Sequence, residues 1–287
     1  MMNFYRLEEI LALKDEYIKN EHFELWFRGH SNAKYKLIPS LYRLNLGENV
    51  EDYQKFELNS YDLFEDHCNK LGIKIPENSW ERICFMQHYG VKTRFLDWSK
   101  EFDIALFFAF ESWNPMAKEA NDRIATIWIL EPNTLNMLSS IPARHGLDSR
   151  ILVPKKNDED FSYKKFLTSR QNGLAGTLAV DLTDNLSEDS APNKRIKIQQ
   201  GVFTLHETKF DLMSELTFRR DYGKHHQKTY INDTLRRIDL HPELYKDVKE
   251  YLSSKGLLHS AIYPDIEGIS TTVNRLSAGD KNWYEVF

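Results

Sequence analysis

The stretch that decides the fold is TRFLDWSKEFDIALFFAFE, residues 93–111. Its second half is dominated by apolar side chains and predicts a helix from about residue 101 to 112. Its first half follows a predicted helix at 78–89 and a turn at Gly90. We therefore expect residues 93–99 to lie at a helix–turn–helix junction.

Outward from this junction, helical and strand patterns alternate along the chain. Apolar stripes at helical spacing predict helices at 3–20, 50–71, 229–239 and 242–255. Runs rich in aromatic and β-branched residues predict strands at 24–28, 123–130 and 201–207. Residues 133–195 have weak periodicity and predict short helices on mobile loops. The pattern is that of an α+β domain in which helices flank a modest mixed or antiparallel sheet.

Composition limits the class of protein. Of the 287 residues, 41% are hydrophobic and 13% aromatic, enough for a substantial core, and the formal net charge is −5. The acidic balance argues against a nucleic-acid binder that relies on bulk charge, although a local basic groove stays open. The longest notable apolar run, 104–110, is too short to cross a bilayer, which takes about 20 residues. With no signal-peptide layout and two cysteines, Cys68 and Cys84, we expect a cytoplasmic protein without a membrane.

The first candidate motif is WFRGHS, residues 26–31. Arg28 would end an apolar strand, and its planar guanidinium can grip a phosphate or a carboxylate through two hydrogen bonds. Gly29 would let a ligand or a neighbouring backbone approach closely. The alternative is an internal ion pair between Arg28 and one of the many acidic residues.

The second candidate motif is QHYGVKTRFLDWS, residues 87–99. These 13 residues include a possible base, a cation, a carboxylate, two hydroxyls and an amide. Functional groups often gather on segments that rigid elements hold in place. His88 can exchange a proton near neutral pH. The alternative is a buried Arg94–Asp97 pair that holds a tight turn. The candidate residues of this motif are Gln87, His88, Tyr89, Thr93, Arg94, Asp97 and Trp98.

Two later segments are weaker candidates. RIKIQQGVFT, residues 195–204, predicts a basic strand that enters a turn at Gln200. This turn would either expose amides to a ligand or be an ordinary edge turn. YPDIEG, residues 263–268, carries Asp265 and Glu267, which would bind a divalent metal or act as acid and base unless they are simply turn residues. The sequence contains no P-loop, GxGxxG, GxSxG, HExxH or paired CxxC. The motifs therefore mark a site without fixing its reaction.

Taken together, these motifs resemble the FRG domain family. The likeness rests on FRG at 27–29, IPSLYR at 38–43, MQHYGVKTRFLDWS at 86–99 with the following ALFFA, RIKIQQGVFTLH at 195–206 and IYPDIEGI at 262–269. Lys92 stands where the family usually has proline. The resemblance implies an N-terminal helix at 1–21, an FRG domain at 22–275 with a variable, loop-rich region at 133–195, and a C-terminal tail at 276–287.

The resemblance also implies a bacterial, phage-associated protein with a defence or toxin-like role. The FRG strand end looks like the first motif of one branch of the ADP-ribosyltransferases, which implies an ADP-ribosyltransferase-like fold and NAD as co-substrate. On that analogy Arg28 anchors the dinucleotide, Glu207 or Glu267 stabilises a cationic sugar, and His88 acts as acid or base. The residues expected to contact the ligand are Arg28, Gly29, Gln87, Tyr89, Thr93, Arg94, Asp97, Trp98 and Gln200, and no resident metal is expected.

Two other functions stay open. A nucleic-acid binder or metal-dependent nuclease would place Arg28 and Arg94 on phosphates, with Asp97, Asp265 and Glu267 holding a metal. A non-catalytic sensor would recognise a phage component, a nucleotide or a protein partner of a defence system through the same pocket. In each case we expect Arg28, residues 87–99 and residues 199–201 to converge on one cleft.

Overall fold

A seven-stranded mixed sheet forms the centre of the computed structural model, which describes residues 2–19, 24–113, 123–139, 150–154, 162–164, 176–183, 186–187, 191–222 and 234–277. The strand order is β1-β7-β4-β2-β3-β6-β5. β1 and β7 run parallel, and the other neighbours run antiparallel. The strands are β1 (Met2–Phe4), β2 (Trp26–His30), β3 (Phe95–Ser99), β4 (Ala125–Leu130), β5 (Thr177–Val180), β6 (Gly201–His206) and β7 (Leu235–Leu240). The predicted α+β class is confirmed.

Helices pack against this sheet throughout the described ranges. They are α1 (Leu7–Lys19), α2 (Val50–Lys70), α3 (Ser79–His88), α4 (Phe102–Phe110), α5 (Pro132–Leu138), α6 (Ala191–Ile198), α7 (Leu212–Tyr222), α8 (Tyr245–Ser254), α9 (His259–Ile262) and α10 (Ile266–Ser277). Short 3₁₀ turns lie at Leu41–Arg43 and Pro242–Leu244. Among the helices in these ranges, none combines the length and the apolar character that a membrane span requires.

The apolar helix α4 organises the core because it is buried on nearly every side. Seven of its nine residues are buried, and it packs on β2 together with α1 and α8. The approach to β2 is so close that a Cβ built on Gly29 would lie 1.9 Å from the carbonyl oxygen of Ala105. Gly29 therefore admits a neighbouring backbone, which is one of the two uses that the sequence predicts for it.

The same face of the sheet carries a second apolar cluster over its other half. Phe27 is the cross-strand partner of Ser99, so both lie on one face, and the alternation along β3 places Phe95 and Asp97 there too. Phe95 packs with Phe203 of β6 and with α2 and α3. The polar side chain of Asp97 thus lies between two apolar clusters, in the gap between α3 and α4.

Several short elements differ from the sequence-based predictions. Residues 93–99 are not a helix–turn–helix junction, because Phe95–Ser99 forms β3 between β2 and β6. Residues 195–198 belong to α6 and not to a strand, and β1 precedes the first helix. The helix predicted at 229–239 is wrong where the structure describes it, since Leu235–Leu240 forms β7. Residues 229–233 lie outside the described residues. These strands of three to six residues are recognised by their pairing, which periodicity cannot reveal.

The longer elements agree with the sequence-based predictions. α2, α3, α4, α8, β2, β4 and β6 each form within a few residues of the expected bounds. Asn78 caps α3, and its side chain accepts hydrogen bonds from the backbone of Trp80 and Glu81. The loop-rich region at 133–195 also contributes β5 to the sheet, a strand that the sequence pattern did not predict.

Candidate functional site

A cleft opens where two strands of the sheet separate. β2 and β3 pair only at Phe27 and Ser99, and beyond this point β2 continues alongside β4 while β3 continues alongside β6. The cleft has a volume of about 490 Å³ and is lined by residues of β2, α3, β3, α4, α6 and β6. This volume falls in the range of sites for small molecules, which is about 300–1,000 Å³.

Arg28 spans the gap between the separated strands. Its Nη1 donates a hydrogen bond to the backbone carbonyl of Asp97 and lies 3.9 Å from the Oδ2 atom of the same residue. Its Nε donates to Nε2 of His30 at 3.0 Å. Burial, followed by the charge of Arg28, lowers the pKa of His30 to about 3, so His30 is the neutral acceptor of this bond. The Arg28 side chain is thereby held on two sides at the edge of the cleft.

Asp97 places a carboxylate in the wall of the cleft. Its Oδ1 accepts a hydrogen bond from Nε2 of Gln87 at 2.6 Å, and the Oε1 of Gln87 accepts one from the hydroxyl of Thr93. Enclosure raises the pKa of Asp97 above its ordinary value, although Arg28 and the Gln87 bond act in the opposite direction. The Asp97 side chain is nevertheless 61% exposed, because the cleft is open to solvent.

A second group of polar residues forms the opposite wall. Arg195 of α6 binds both oxygens of Asp265, through Nε at 2.9 Å and through Nη2, and its guanidinium lies 4.7 Å from the centre of the Tyr263 ring. The hydroxyl of Tyr263 donates to Glu111 at 2.5 Å. Burial, followed by the charge of Arg195, lowers the pKa of the half-buried His88. A neutral His88 therefore lines the cleft near pH 7 and is able to accept a proton.

Aromatic side chains complete the walls. Tyr35 is half exposed at the mouth and meets the ring of His30 edge-on at 6.1 Å. Phe108 of α4 lines the interior. Trp98 and Phe203 are both nearly fully buried, and Trp98 donates its indole N–H to Thr204. Tyr35 and Phe108 are therefore better placed than Trp98 to lie against a ligand.

Arg94 is not part of the cleft. It is fully buried, and its Nε donates to Oε2 of Glu57 at 2.6 Å, while its backbone N–H donates to Oε1. Tyr163 donates to the same carboxylate at 2.9 Å. The predicted Arg94–Asp97 pair is wrong, because residues three apart on an extended chain face opposite sides. Arg28 is the arginine that approaches Asp97.

The remaining candidate residues lie at various distances from the cleft. Thr93 is buried behind Gln87, and Tyr89 is exposed beside His88. Gln200 occupies a turn with a φ of 47° and donates to the carbonyl of Lys197, so Gln199 reaches the cleft in its place. Glu207 is buried just beyond the end of β6 and does not line the cleft.

The three acids considered as metal ligands are held separately. Asp265 is occupied by Arg195 and accepts a hydrogen bond from the backbone of Gly268, and Glu267 is exposed 3.5 Å from Nη2 of Arg195. Asp97 lies across the cleft with Gln87. Across the described ranges, no group of three or more His, Cys, Asp or Glu side chains is arranged to hold a metal ion.

The cleft therefore gathers Arg28, Gln87, His88, Asp97 and residues 199 and 201, as the sequence predicts, and it leaves out Arg94. Sequence reasoning missed Tyr35 and Glu111. An isolated tyrosine in a loop and an acid at the end of a helix are ordinary surface features. Neither residue can therefore be recognised as part of a site from the sequence.

These residues fall largely within a recognised domain. The family model of the FRG domain matches residues 23–118, which include β2, α3, β3 and α4, and an FRG domain is therefore present in this chain. No curated protein and no solved structure matches the chain. The matched part supplies Arg28, Gln87, His88 and Asp97, while Arg195 and Tyr263 come from outside it. The longer domain span of 22–275 stays a prediction.

Proposed function

We propose that the cleft binds NAD and that the protein cleaves the bond between nicotinamide and ribose, as an ADP-ribosyltransferase or an NAD glycohydrolase does. The observation that carries this proposal is the pairing of one cation, Arg28, with one open carboxylate, Asp97, inside an aromatic-walled cleft. A cation binds the diphosphate of a dinucleotide, and a carboxylate stabilises the positive charge that the sugar acquires when nicotinamide leaves.

Arg28 is suited to binding because it is already oriented. His30 and the Asp97 carbonyl fix its guanidinium, so a ligand does not have to order a long flexible side chain. The half-exposed ring of Tyr35 stands at the same mouth and offers a flat surface to a base. Gly29 has a different role, since its contact is with α4.

Asp97 replaces Glu207 and Glu267 as the carboxylate we assign to the sugar, because it lines the cleft and they do not. Glu111 also lines the cleft, but it accepts a hydrogen bond from the hydroxyl of Tyr263. In the proposed reaction the C1′–N bond breaks, and its electron pair neutralises the positive ring of nicotinamide. Water or the hydroxyl of an acceptor then attacks C1′ and loses its proton to the neutral His88. The rate depends on how strongly Asp97 stabilises the charge that forms between these two events.

The biological setting we propose is bacterial defence against phage through a toxin-like loss or transfer of ADP-ribose in the cytoplasm. Its support is the presence of an FRG domain. The sensor role remains the alternative for a protein that binds NAD or a related nucleotide and leaves it intact.

The test is the release of nicotinamide from NAD, followed by chromatography with the wild type and matched variants. We expect Arg28→Ala and Asp97→Asn each to lower the rate by about 100-fold or more, as loss of one preorganised electrostatic group does. Arg6→Ala is the control for removal of a cation, because Arg6 is exposed beside Glu8. It is expected to leave the rate unchanged, as is Glu267→Gln.

Intact NAD after long incubation of the wild type with protein and nucleic-acid acceptors would contradict the proposal. If the protein left NAD intact and bound an oligonucleotide with an affinity that falls as salt rises, a nucleic-acid-binding function would be favoured. Equal rates for the wild type and Asp97→Asn would reject the role assigned to this carboxylate and leave NAD cleavage standing.

A further inference from the structure

A chain of hydrogen bonds reaches Asp97 from behind the cleft wall. The backbone N–H of Phe95 donates to Oγ1 of Thr93 at 3.3 Å, the Thr93 hydroxyl donates to Oε1 of Gln87, and Nε2 of Gln87 donates to Oδ1 of Asp97 at 2.6 Å. Thr93 is fully buried, and so it has no direct access to a ligand. Thr93 can therefore affect a ligand only through the residues to which it is hydrogen-bonded.

The bonds of this chain share one direction, which the carboxylate sets. An ionised carboxylate only accepts hydrogen bonds, so the NH₂ group of Gln87 faces Asp97. The amide oxygen of Gln87 then faces Thr93, whose hydroxyl donates to it while Oγ1 accepts from the Phe95 N–H. An NH₂ group directed at a carboxylate stabilises the ionised form of the carboxylate, whereas the flipped amide would place oxygen against oxygen.

Thr93 is itself held firmly in place. The hydroxyl of Ser40 accepts a hydrogen bond from the Thr93 N–H at 3.2 Å, and the Thr93 carbonyl accepts one from the backbone of Leu41 at 3.1 Å. Tyr42, next along this turn, donates to the carbonyl of His206 on β6. The IPSLYR segment thus anchors the first member of the chain to the sheet.

We propose that Thr93 and Gln87 are positioning residues that hold Asp97 with Oδ1 occupied and Oδ2 directed to the ligand. Oδ2 is 3.9 Å from Nη1 of Arg28, beyond hydrogen-bond reach, so Arg28 leaves it accessible to a hydroxyl or a cationic sugar. The role of Asp97 toward a ligand rests on the proposed function. The orientation of its carboxylate is testable without any ligand.

The groups that set the charge of Asp97 come from every element around the cleft. Enclosure opposes the carboxylate, whereas Arg28, the backbone N–H of Asp97, the Gln87 side chain and Arg43 favour it. Phe203, its cross-strand neighbour on β6, is uncharged. The other titratable or charged groups that line the cleft are His30, Tyr35, Cys84, His88, Glu111, Arg195 and Tyr263. Gln87→Ala leaves these groups in place. The enclosure that it also reduces would lower the pKa of Asp97, so a rise in that pKa reports the lost hydrogen bond.

The experiment is a ¹³C NMR titration of the Asp97 carboxyl group in protein labelled at aspartate, with the signal assigned by its loss in Asp97→Asn. We expect Gln87→Ala and Thr93→Val to raise the pKa of Asp97 by about one unit, which corresponds to the loss of one hydrogen bond to a charged group. Thr93→Ser keeps the hydroxyl and is expected to keep the pKa of the wild type.

An unchanged pKa in folded Gln87→Ala would overturn the inference, and so would an equal rise in Thr93→Ser and Thr93→Val. Gln87 lies on the cleft wall, so its truncation tests the idea even if Thr93→Val fails to fold. A raised pKa together with intact NAD would preserve this inference and reject the proposed function. NAD cleavage with an unchanged pKa of Asp97 would support the proposed function and reject this inference.

Discussion

Two arginines near the strand gap differ in almost every respect. Arg94 and Glu57 form a pair whose side chains are 1% and 0% exposed, with a contact of 2.6 Å and further hydrogen bonds from Tyr163 and the Arg94 backbone. Arg28 and Asp97 lie 3.9 Å apart with side chains that are 23% and 61% exposed. The first pair is enclosed and tightly bonded, whereas the second is open and loosely paired.

This difference distinguishes a charge that stabilises the fold from a charge that a ligand can reach. A buried pair is balanced within the protein, so removal of one partner leaves an uncompensated charge in the interior. An open pair contributes little to stability, and its groups remain available to a ligand. We therefore expect Arg94 to serve stability and propose Arg28 for ligand binding, although both belong to the motifs that mark the site in the sequence.

The largest effect is expected for the buried pair. Glu57→Gln and Arg94→Ala should each lower the free energy of unfolding by about 3–5 kcal/mol, because each leaves a buried charge without its partner. Urea unfolding followed by circular dichroism measures this loss. Asp66→Ala, which breaks the exposed Asp66–Lys70 pair, is the control and should cost less than about 1 kcal/mol. Similar losses in the two experiments would remove the distinction.

The next effect concerns pH, because two buried histidines lie close to these arginines. Burial, followed by the charge of Arg28, lowers the pKa of both His30 and His206 to about 3, and Arg94 also acts on His206. The unfolded chain has histidine pKa values of about 6.5, so below that pH it binds protons that the folded state does not. Stability is fully present above pH 6.5 and is lost as the pH falls toward 3.

Between pH 6.5 and 5, the loss should amount to about 1–2 kcal/mol for each of the two histidines. Urea unfolding at pH 6.5, 5.5 and 5.0 measures it. His30→Gln, which keeps an acceptor for Arg28, should remove part of the slope. A stability that does not change over this range would show that neither histidine is held neutral.

A smaller effect is expected for the glycine of the FRG motif itself. Gly29→Ala places a Cβ 1.9 Å from the backbone oxygen of Ala105, which a rotamer change cannot relieve. We expect a loss of about 1–3 kcal/mol as β2 and α4 move apart. Thermal and urea unfolding measure it. Wild-type stability for this variant would indicate that the motif keeps its glycine for a ligand and not for α4.

The sequence predicted the cleft better than it predicted the roles within it. Arg28, Gln87, His88 and Asp97 carry polar groups beside apolar elements, and this contrast is visible without a structure. The role of Arg94 could not be predicted, because its partner Glu57 lies 37 residues away on α2 while Asp97 stands only three away. Local spacing favours the near partner, whereas the extended conformation of β3 excludes it.

The fold shows the same division. α2 and α4 form where their apolar residues predict helices. α7 and α10, which are 11 and 12 residues long, are helices that the sequence pattern did not predict. β3 and β7 are five and six residues long and are defined by strands that lie far away in the chain. The cleft depends on one of these pairings, since it opens where β3 leaves β2. The shape of the cleft therefore could not be predicted from the sequence, whereas several of the residues that line it could.

The smallest contribution to stability is expected for the Arg28–Asp97 ion pair. The Arg28 side chain is partly exposed and its distance to the Asp97 carboxylate is 3.9 Å, so this pair should contribute about 1 kcal/mol or less to the free energy of unfolding. Arg28→Ala also removes the hydrogen bonds to His30 and to the Asp97 carbonyl, but its total loss should stay below that of Arg94→Ala, because Arg28 lies at an open cleft. Urea unfolding beside Arg94→Ala gives the comparison directly. A loss as large as that of Arg94→Ala would make Arg28 a second structural brace.

The most direct test of the cleft as a ligand site is the binding of ADP-ribose, which carries the diphosphate of NAD and has no nicotinamide to lose. Isothermal titration at constant salt and pH compares the wild type with Arg28→Ala. We expect binding to the wild type and a loss of about tenfold or more in Arg28→Ala, since hydrogen bonds to a charged group contribute about 1.5–3 kcal/mol. Equal affinity of the two folded proteins for ADP-ribose would contradict it.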